Sequence, residues 1–314
     1  MAQQDKVGDF ISKDEAERLL FIYASVKKEI RGDQPLSVSV IDIPRIAIRA
    51  IGCFARVGCQ HDWATSFRLA YWAVRDSLVR NTRLLFPIRY PYSRLRLTFG
   101  LRPMSYLWGL DRGVPIHRHY VEEFLQEFSS DIRGHSLEFQ EDSYMSRFGG
   151  DRVTKKDILH KEYDNPNATI VADLTKRNHI SSEQFDCIIC TYVLNIISDV
   201  DNVVSELYRM LKPGGVLLVA VPQASMSATY WHDLWRWTPE GFHLQLARFF
   251  GEANITVRAY GNSLTAAGDI RGLVTDEFTR AQLDYHDPRF AIVVCARAVK
   301  RTAAENAKSQ ATAV

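Results

Sequence analysis

His232 and Asp233 stand side by side in the segment TYWHDLWRWTPE (229–240). A histidine with an ordinary pKa near 6.5 can take a proton at neutral pH, and an adjacent carboxylate can orient its ring. Tyr230, Trp231, Trp235 and Trp237 crowd the same segment, and their flat faces suit either a sugar ring or a protein core. His117, His119 and the pair His286–Asp287 are further proton acceptors. Cys187 and Cys190 form a C-x-x-C inside the apolar run Phe185–Val193. Side chains three apart on a strand point to opposite faces, so the pair reads as packing and not as a metal or redox site. No H-E-x-x-H pattern points to a metal. No G-x-G-x-x-G follows a strand, which argues against a nicotinamide dehydrogenase.

The chain has 314 residues, of which 46% are hydrophobic and 24% charged, enough for one large or two small domains. No apolar run is long enough for a transmembrane helix, and Met1–Arg31 lacks the apolar centre of a signal peptide. The five cysteines are too unevenly spaced for a disulfide framework. The net charge of +2 conceals a division. Residues 1–102 carry 17 Lys+Arg against 10 Asp+Glu, a balance of +7, and the remainder carries 22 against 27, a balance of −5. From Arg45 to Arg102 there are eleven arginines, no lysine and two acids, Asp62 and Asp76. Such a block favours an anionic partner, a membrane surface included, or forms a solvated helix face paired with the acidic remainder.

Periodicity predicts helices over 12–31 and 62–85, the second with a broad apolar stripe that suits a core or a membrane surface. Pro87 and Pro91 in FPIRYPYSRLRLTFGLRP (86–103) break the pattern, and a boundary is expected near 103. Beyond 115, helix and strand alternate. Strands are expected at 135–139, 168–174, 185–194, 215–222, 255–262 and 290–300, with RVTKKDIL (152–159) a further one. Helices are expected at 119–128, 200–211 and 238–250. The expectation is therefore a mostly parallel α/β sheet with helices on both faces, and a disordered tail from 302.

The segment FDCIICTYVLNIISDVDNVVSELYRMLKPGGVLLVAVP (185–222) resembles the class I S-adenosylmethionine-dependent methyltransferases. The matching residues are Phe185, Asp186, Val193, Leu194, Asp199, Glu206, Arg209, Leu211, Lys212, Pro213, Gly214 and Gly215. DLWRWTPEGFHLQLARFF (233–250) is similar to the stretch after strand five in many members, and WGLDRGVPIHRHYVEEFL (108–125), RFGGDRVTKKDILH and LDYHDPRF are similar to a bacterial branch found with polysaccharide-synthesis and glycosyltransferase genes. The resemblance implies a Rossmann-like, doubly wound, mostly parallel seven-stranded sheet over 103–301, preceded by a basic, mainly helical extension at 1–102. It implies that K-P-G-G (212–215) is a structural turn that stops one helix and starts the fifth strand.

It also implies a cofactor, S-adenosylmethionine, at the carboxyl ends of strands one to four. Glu138 would end strand one. The glycine-rich loop of the family is replaced here, with Gln140, Asp142 and Tyr144 at the three glycine positions and Phe148-Gly149-Gly150 a little later. Asp157, at the end of strand two, would hold the ribose hydroxyls. Asp173 after strand three would contact the adenine amino group, with the Leu174 N–H beside it. Cys190, Thr191 and Tyr192 would line the cleft after strand four. His232, oriented by Asp233, would serve as base. The expected activity is methyl transfer to an oxygen of a glycan or related acceptor, in a cytoplasmic protein that could touch the inner membrane face through its arginines. The missing glycines leave open a second reading, a methyltransferase-like scaffold or partner subunit that no longer binds the cofactor. No base-reading nucleic-acid motif is present.

Overall fold

The computed structural model describes residues 86–162, 165–176, 178–227 and 232–302. The helices expected at 12–31 and 62–85, the residues Tyr230 and Trp231, and the tail from 303 lie outside the described residues. The chain forms two compact units. One includes 86–115 and 271–279, and the other includes 116–227, 232–270 and 280–302.

The larger unit is built on a seven-stranded sheet: β1 (Gly134–Phe139), β2 (Val153–His160), β3 (Ile170–Val171), β4 (Phe185–Thr191), β5 (Leu211–Pro222), β6 (Ile255–Tyr260) and β7 (Val293–Val299). Their spatial order is β3-β2-β1-β4-β5-β7-β6. The first five run parallel, and β7 pairs antiparallel with β5 and β6. β4 and the second half of β5 are buried on both faces, so they read as unbroken apolar runs. Cys187 and Cys190 are both fully buried and free, and Cys190 belongs to the main core cluster while Cys187 does not. Burial pushes both thiols far above their ordinary range, which leaves them inert.

Two helices cover that core. One spans Val200–Met210, with Asp199 as N-cap accepting the Asn202 N–H at 3.1 Å, and buries Val200, Val203, Val204, Leu207 and Met210. The other spans Pro239–Phe250. Thr238 caps it, Pro239 takes the first turn where its missing N–H costs nothing, and Gly251 at φ +79 ends it. Three more helices cover Ile116–Glu127, Ser263–Ile270 and Arg280–Asp284. In chain order these five are α2 (116–127), α3 (200–210), α4 (239–250), α5 (263–270) and α6 (280–284). Among the described residues no helix is long and apolar enough to cross a membrane.

The K-P-G-G turn sits differently from its expected place. Helix α3 stops at Met210 and β5 starts at once, with Leu211 opposite Phe185. The next pair in register is Cys187 with Val216, so Lys212–Gly215 loops out opposite the single residue Asp186. Gly214 takes φ +79 and donates to Lys300 O at 2.8 Å. Asp186 holds the excursion, because its Oδ2 accepts both the Lys212 ammonium and the His135 N–H, at 2.7 and 2.8 Å. The turn thus ties three adjacent strands together.

In the smaller unit, α1 (Phe86–Phe99) runs through the stretch that the prolines were expected to break. Pro87 falls in the first turn, where no N–H is needed, and Pro91 removes only one bond. The buried Glu277 gathers this unit: its carboxylate accepts Ser93, Arg112 and the Val274 N–H, and its backbone carbonyl accepts Arg94.

Gly134 has φ +64, and a Cβ there would lie 2.4 Å from Asp186 Oδ2. Gly134→Ala is therefore expected to lower the unfolding free energy by about 2 kcal/mol. Urea denaturation monitored by tryptophan fluorescence measures that loss.

Candidate functional site

In an open parallel sheet, ligands bind beyond the carboxyl ends of the strands where the order reverses. Here that point lies between β1 and β4, since the chain proceeds outward from β1 to β3 on one side and from β4 on the other. Of the expected site residues, Glu138, Gln140 and Asp142 lie at or after the end of β1, and Thr191 ends β4.

Glu138 is 2% exposed near the end of β1. Its two oxygens accept the N–H groups of Tyr144 and Met145, at 3.1 and 2.8 Å. These bonds fold the following loop back over the strand end. Met145–Gly149 then winds as a short π-helix, a form common at functional sites. Burial pushes the Glu138 carboxyl up to about 8, against the pull of those two donors, and the nearby Glu141 and Asp142 add to the rise.

Gln140 takes φ +69, the left-handed conformation that a glycine enters without strain. Its N–H reaches Leu159 O at 3.1 Å, and its carbonyl accepts Asn165 Nδ2 at 2.7 Å. The backbone therefore follows a path suited to glycine although the side chain is present. Burial acts to raise the Asp142 carboxyl, but the Ser146 hydroxyl and the Lys156 ammonium hold it below its ordinary range. Tyr144 points inward, with Arg118 Nε donating to its hydroxyl at 3.3 Å.

Asp157 corrects one expectation. β2 continues three residues past it to His160, so Asp157 lies mid-strand, opposite Leu137. Its carboxylate is already occupied, by His135 Nε2 at 2.6 Å and by the Thr169 hydroxyl at 2.7 Å. These bonds outweigh burial and hold it below its ordinary range. The acid at the carboxyl end of β2 is the exposed Glu162, whose N–H reaches His160 Nδ1 at 3.3 Å.

Asp173 does follow β3, and the N–H and hydroxyl of Thr175 bond its Oδ1 at 3.0 and 2.6 Å. Those bonds, with Lys161 and Lys176 each 3.8 Å away, keep the carboxyl ionised. Leu174 is buried beside it. Thr191 is the last residue of β4, and Tyr192 follows at φ +55, a second left-handed position without glycine. Burial pushes the Tyr192 phenol well up, so it stays a neutral donor. Cys190, by contrast, belongs to the core and does not line this end of the sheet.

His232 is exposed, and Asp233 is engaged elsewhere. Arg236 grips both of its oxygens, and Asn195 Nδ2 donates to it at 3.2 Å. The N–H groups of Leu234 and Trp235 both donate to Asn195 O, which ties the segment after β5 to the end of β4. Trp235 is 43% exposed with its indole N–H on Ile197 O, while Trp237 packs against the core.

Sequence reasoning missed a set of buried polar atoms that have no hydrogen-bond partner among the described residues. Ser143 Oγ follows β1, Tyr192 Oη and Asn195 Oδ1 follow β4, Gln223 Oε1 follows β5, and Asp269 Oδ2 lies on α5. Buried polar atoms are rarely left so, and those after the strands mark where a polar ligand would be received. Asp269 carried one faint signal, as the sole charge in the apolar segment SLTAAGDI.

The strand order, the single antiparallel strand and the flanking helices match the Rossmann-like architecture of methyltransferases. The profile of a family described as a methyltransferase domain matches residues 35–259. The chain belongs to that family, and its cofactor is S-adenosylmethionine. A Thermotoga maritima structure, described as an S-adenosylmethionine-dependent methyltransferase and possible histamine N-methyltransferase, is similar at 12% identity. Its TM-score is 0.41, over 69% of this chain and 98% of that one. An S-adenosylmethionine-dependent methyltransferase from Archaeoglobus fulgidus is 10% identical, with TM-score 0.41 over 62% of this chain and 100% of that one. A putative methyltransferase from Bacillus halodurans is 14% identical, with TM-score 0.38 over 58% and 99%. No curated protein sequence matches the chain.

A carboxyl raised from 4.5 to about 8 by folding contributes stability that is full below 4.5 and lost as pH rises through 8. Wild type should therefore lose stability relative to Glu138→Gln between pH 5 and pH 8. Urea titrations across that range test the sign. Gln140→Gly should leave stability within about 1 kcal/mol of wild type, because relief of the left-handed strain offsets the added chain entropy.

Proposed function

We propose that the larger unit transfers a methyl group from S-adenosylmethionine to a hydroxyl of a glycan or related polyhydroxylated acceptor. The observation that carries this reading is the group of partnerless buried polar atoms at the carboxyl ends of β1, β4 and β5. Ser143 Oγ and Tyr192 Oη lie at the two strand ends that flank the reversal, and so fit the polar parts of the cofactor. The loop folded by Glu138, with the backbone of Gln140 and Asp142, would hold its methionyl end. Glu162 would accept the ribose hydroxyls, since one carboxylate can take two such bonds. Asp173 and the Leu174 N–H would face the adenine, and Thr191 the sulfur. When bound, the cofactor supplies an electrophilic methyl on a positive sulfur. The chain's own task is to align the acceptor oxygen with it and to exclude water.

The acceptor side is proposed at the ends of β4 and β5. Asn195 Oδ1 and Gln223 Oε1 are acceptors in want of donors, as sugar hydroxyls are. The exposed Trp235 ring, fixed through its N–H, offers a stacking face, and His232 lies on the same segment.

Calorimetry with S-adenosylhomocysteine tests the cofactor site. Wild type should bind. Asp173→Ala and Glu162→Ala should each weaken binding by about tenfold, the worth of one charge-assisted hydrogen bond. Asp157→Asn should leave affinity unchanged, since that carboxylate is occupied inside the sheet. No heat from wild type at millimolar ligand would favour the scaffold reading.

A further inference from the structure

His117 and Asp269 form a dyad that lies outside the residues proposed to hold the cofactor. His117 is the second residue of α2, and Asp269 sits near the end of α5. Asp269 Oδ1 accepts twice from the same residue: from the His117 N–H at 3.1 Å, and from ring Nδ1 at 2.9 Å. The double contact fixes both the backbone and the ring, and sets the tautomer with its proton on Nδ1. Nε2 is then left as the basic lone pair. The His117 side chain is 18% exposed, while that of Asp269 is 1% exposed. The imidazole packs edge-on against Tyr192, with ring centroids 5.4 Å apart. Tyr192 directly follows the last residue of β4. The dyad therefore stands at the carboxyl end of β4, beside the reversal point.

Two atoms here are buried and partnerless: Asp269 Oδ2 and Tyr192 Oη. A nine-tenths-buried carboxylate with one oxygen spent on a histidine and the other unmet is costly unless a ligand supplies a donor.

Resting on the proposed methyl transfer, we infer that His117 is the general base for the acceptor hydroxyl, that Asp269 positions it, and that Asp269 Oδ2 receives a second, neighbouring hydroxyl. The acceptor class is thus a sugar or polyol with adjacent hydroxyls. In the step, the acceptor oxygen forms its bond to the methyl carbon as the carbon–sulfur bond breaks. That electron pair stays on sulfur, giving S-adenosylhomocysteine, and the hydroxyl proton passes to His117 Nε2. His117 later gives it to solvent. The assignment places the base on α2, away from the His232 segment.

The test uses the full chain, with the methyl glycosides of mannose, galactose, rhamnose and fucose as probes. His117→Gly and His117→Asn should bind S-adenosylhomocysteine within about tenfold of wild type, since His117 touches the cofactor side only through the edge of Tyr192, and at saturating S-adenosylmethionine should transfer labelled methyl about a hundredfold or more slower. Added imidazole should restore part of the rate to His117→Gly and leave wild type unaffected. Asp269→Asn should lower kcat with the KM for S-adenosylmethionine unchanged. Independently of turnover, a glycoside titrated into the wild-type S-adenosylhomocysteine complex should move the His117 ring carbon signal in NMR. An unchanged rate in the His117 variants, a lost rate that imidazole does not restore, or a ring signal that stays fixed overturns the inference. So does a wild type that binds S-adenosylhomocysteine but methylates none of the glycosides, and the cofactor reading then survives. A wild type that binds no S-adenosylhomocysteine takes down the cofactor reading, and the base with it.

Discussion

A carboxylate buried at the end of β1 organises the candidate site. Glu138 is nearly inaccessible, and its two oxygens take the N–H groups of Tyr144 and Met145. Without it, two donors in a tight loop would be buried and unmet, which costs about 1–3 kcal/mol each. With it, the chain turns sharply off the strand, and the loop after β1 closes over the edge of the reversal point. The desolvation that pushes this carboxyl up to about 8 is the opposing cost. The surrounding core, with β4 and β5 buried on both faces, supplies the stability that holds the arrangement.

The backbone is strained on both sides of that point. Gln140 after β1 and Tyr192 after β4 take positive φ although neither is glycine. Each such residue costs about 1–2 kcal/mol, and such costs gather where a backbone must present particular groups to a ligand. Gln140 keeps a glycine-like path through bonds at both its N–H and its carbonyl. Tyr192 is held by a bond to Ala220 and by the edge of His117. The conformation that glycine favours is thus kept at 140 by a residue with a side chain.

Asp186 plays the corresponding part at the other end of the sheet. One oxygen receives β1 through His135 and the β5 excursion through Lys212. Gly134 exists to let that carboxylate approach. The signature that identifies the family in the sequence is therefore a joint between strands, at the end of the sheet opposite the candidate site. The groups of the candidate site lie at the carboxyl ends and come from α2, α5 and the loops after β1, β4 and β5.

The alternation of apolar strands and amphipathic helices from 115 onward was legible in the sequence, because a sheet covered on both faces forces period and apolarity upon its elements. The residues 185–222 fixed the family for a like reason, since a short turn between packed elements admits few residue types. β2 was legible as a strand to within one residue, expected at 152–159 and found at 153–160, but which acid stands at its end was not: the register with β1 puts Asp157 opposite Leu137, inside the strand. The helix through Pro91 was likewise illegible, because packing overrode a local penalty. Asp233 looked like a partner for its neighbour His232 and is bound by Arg236 and Asn195, because adjacent residues in an extended segment point apart. His117 and Asp269 lie 152 residues apart and meet only when α2 and α5 reach the same end of the sheet. Local order is written in periodicity and turn chemistry. Which titratable groups meet is decided by tertiary packing, since the energy that joins them comes from the whole core and leaves no mark in the spacing of either residue.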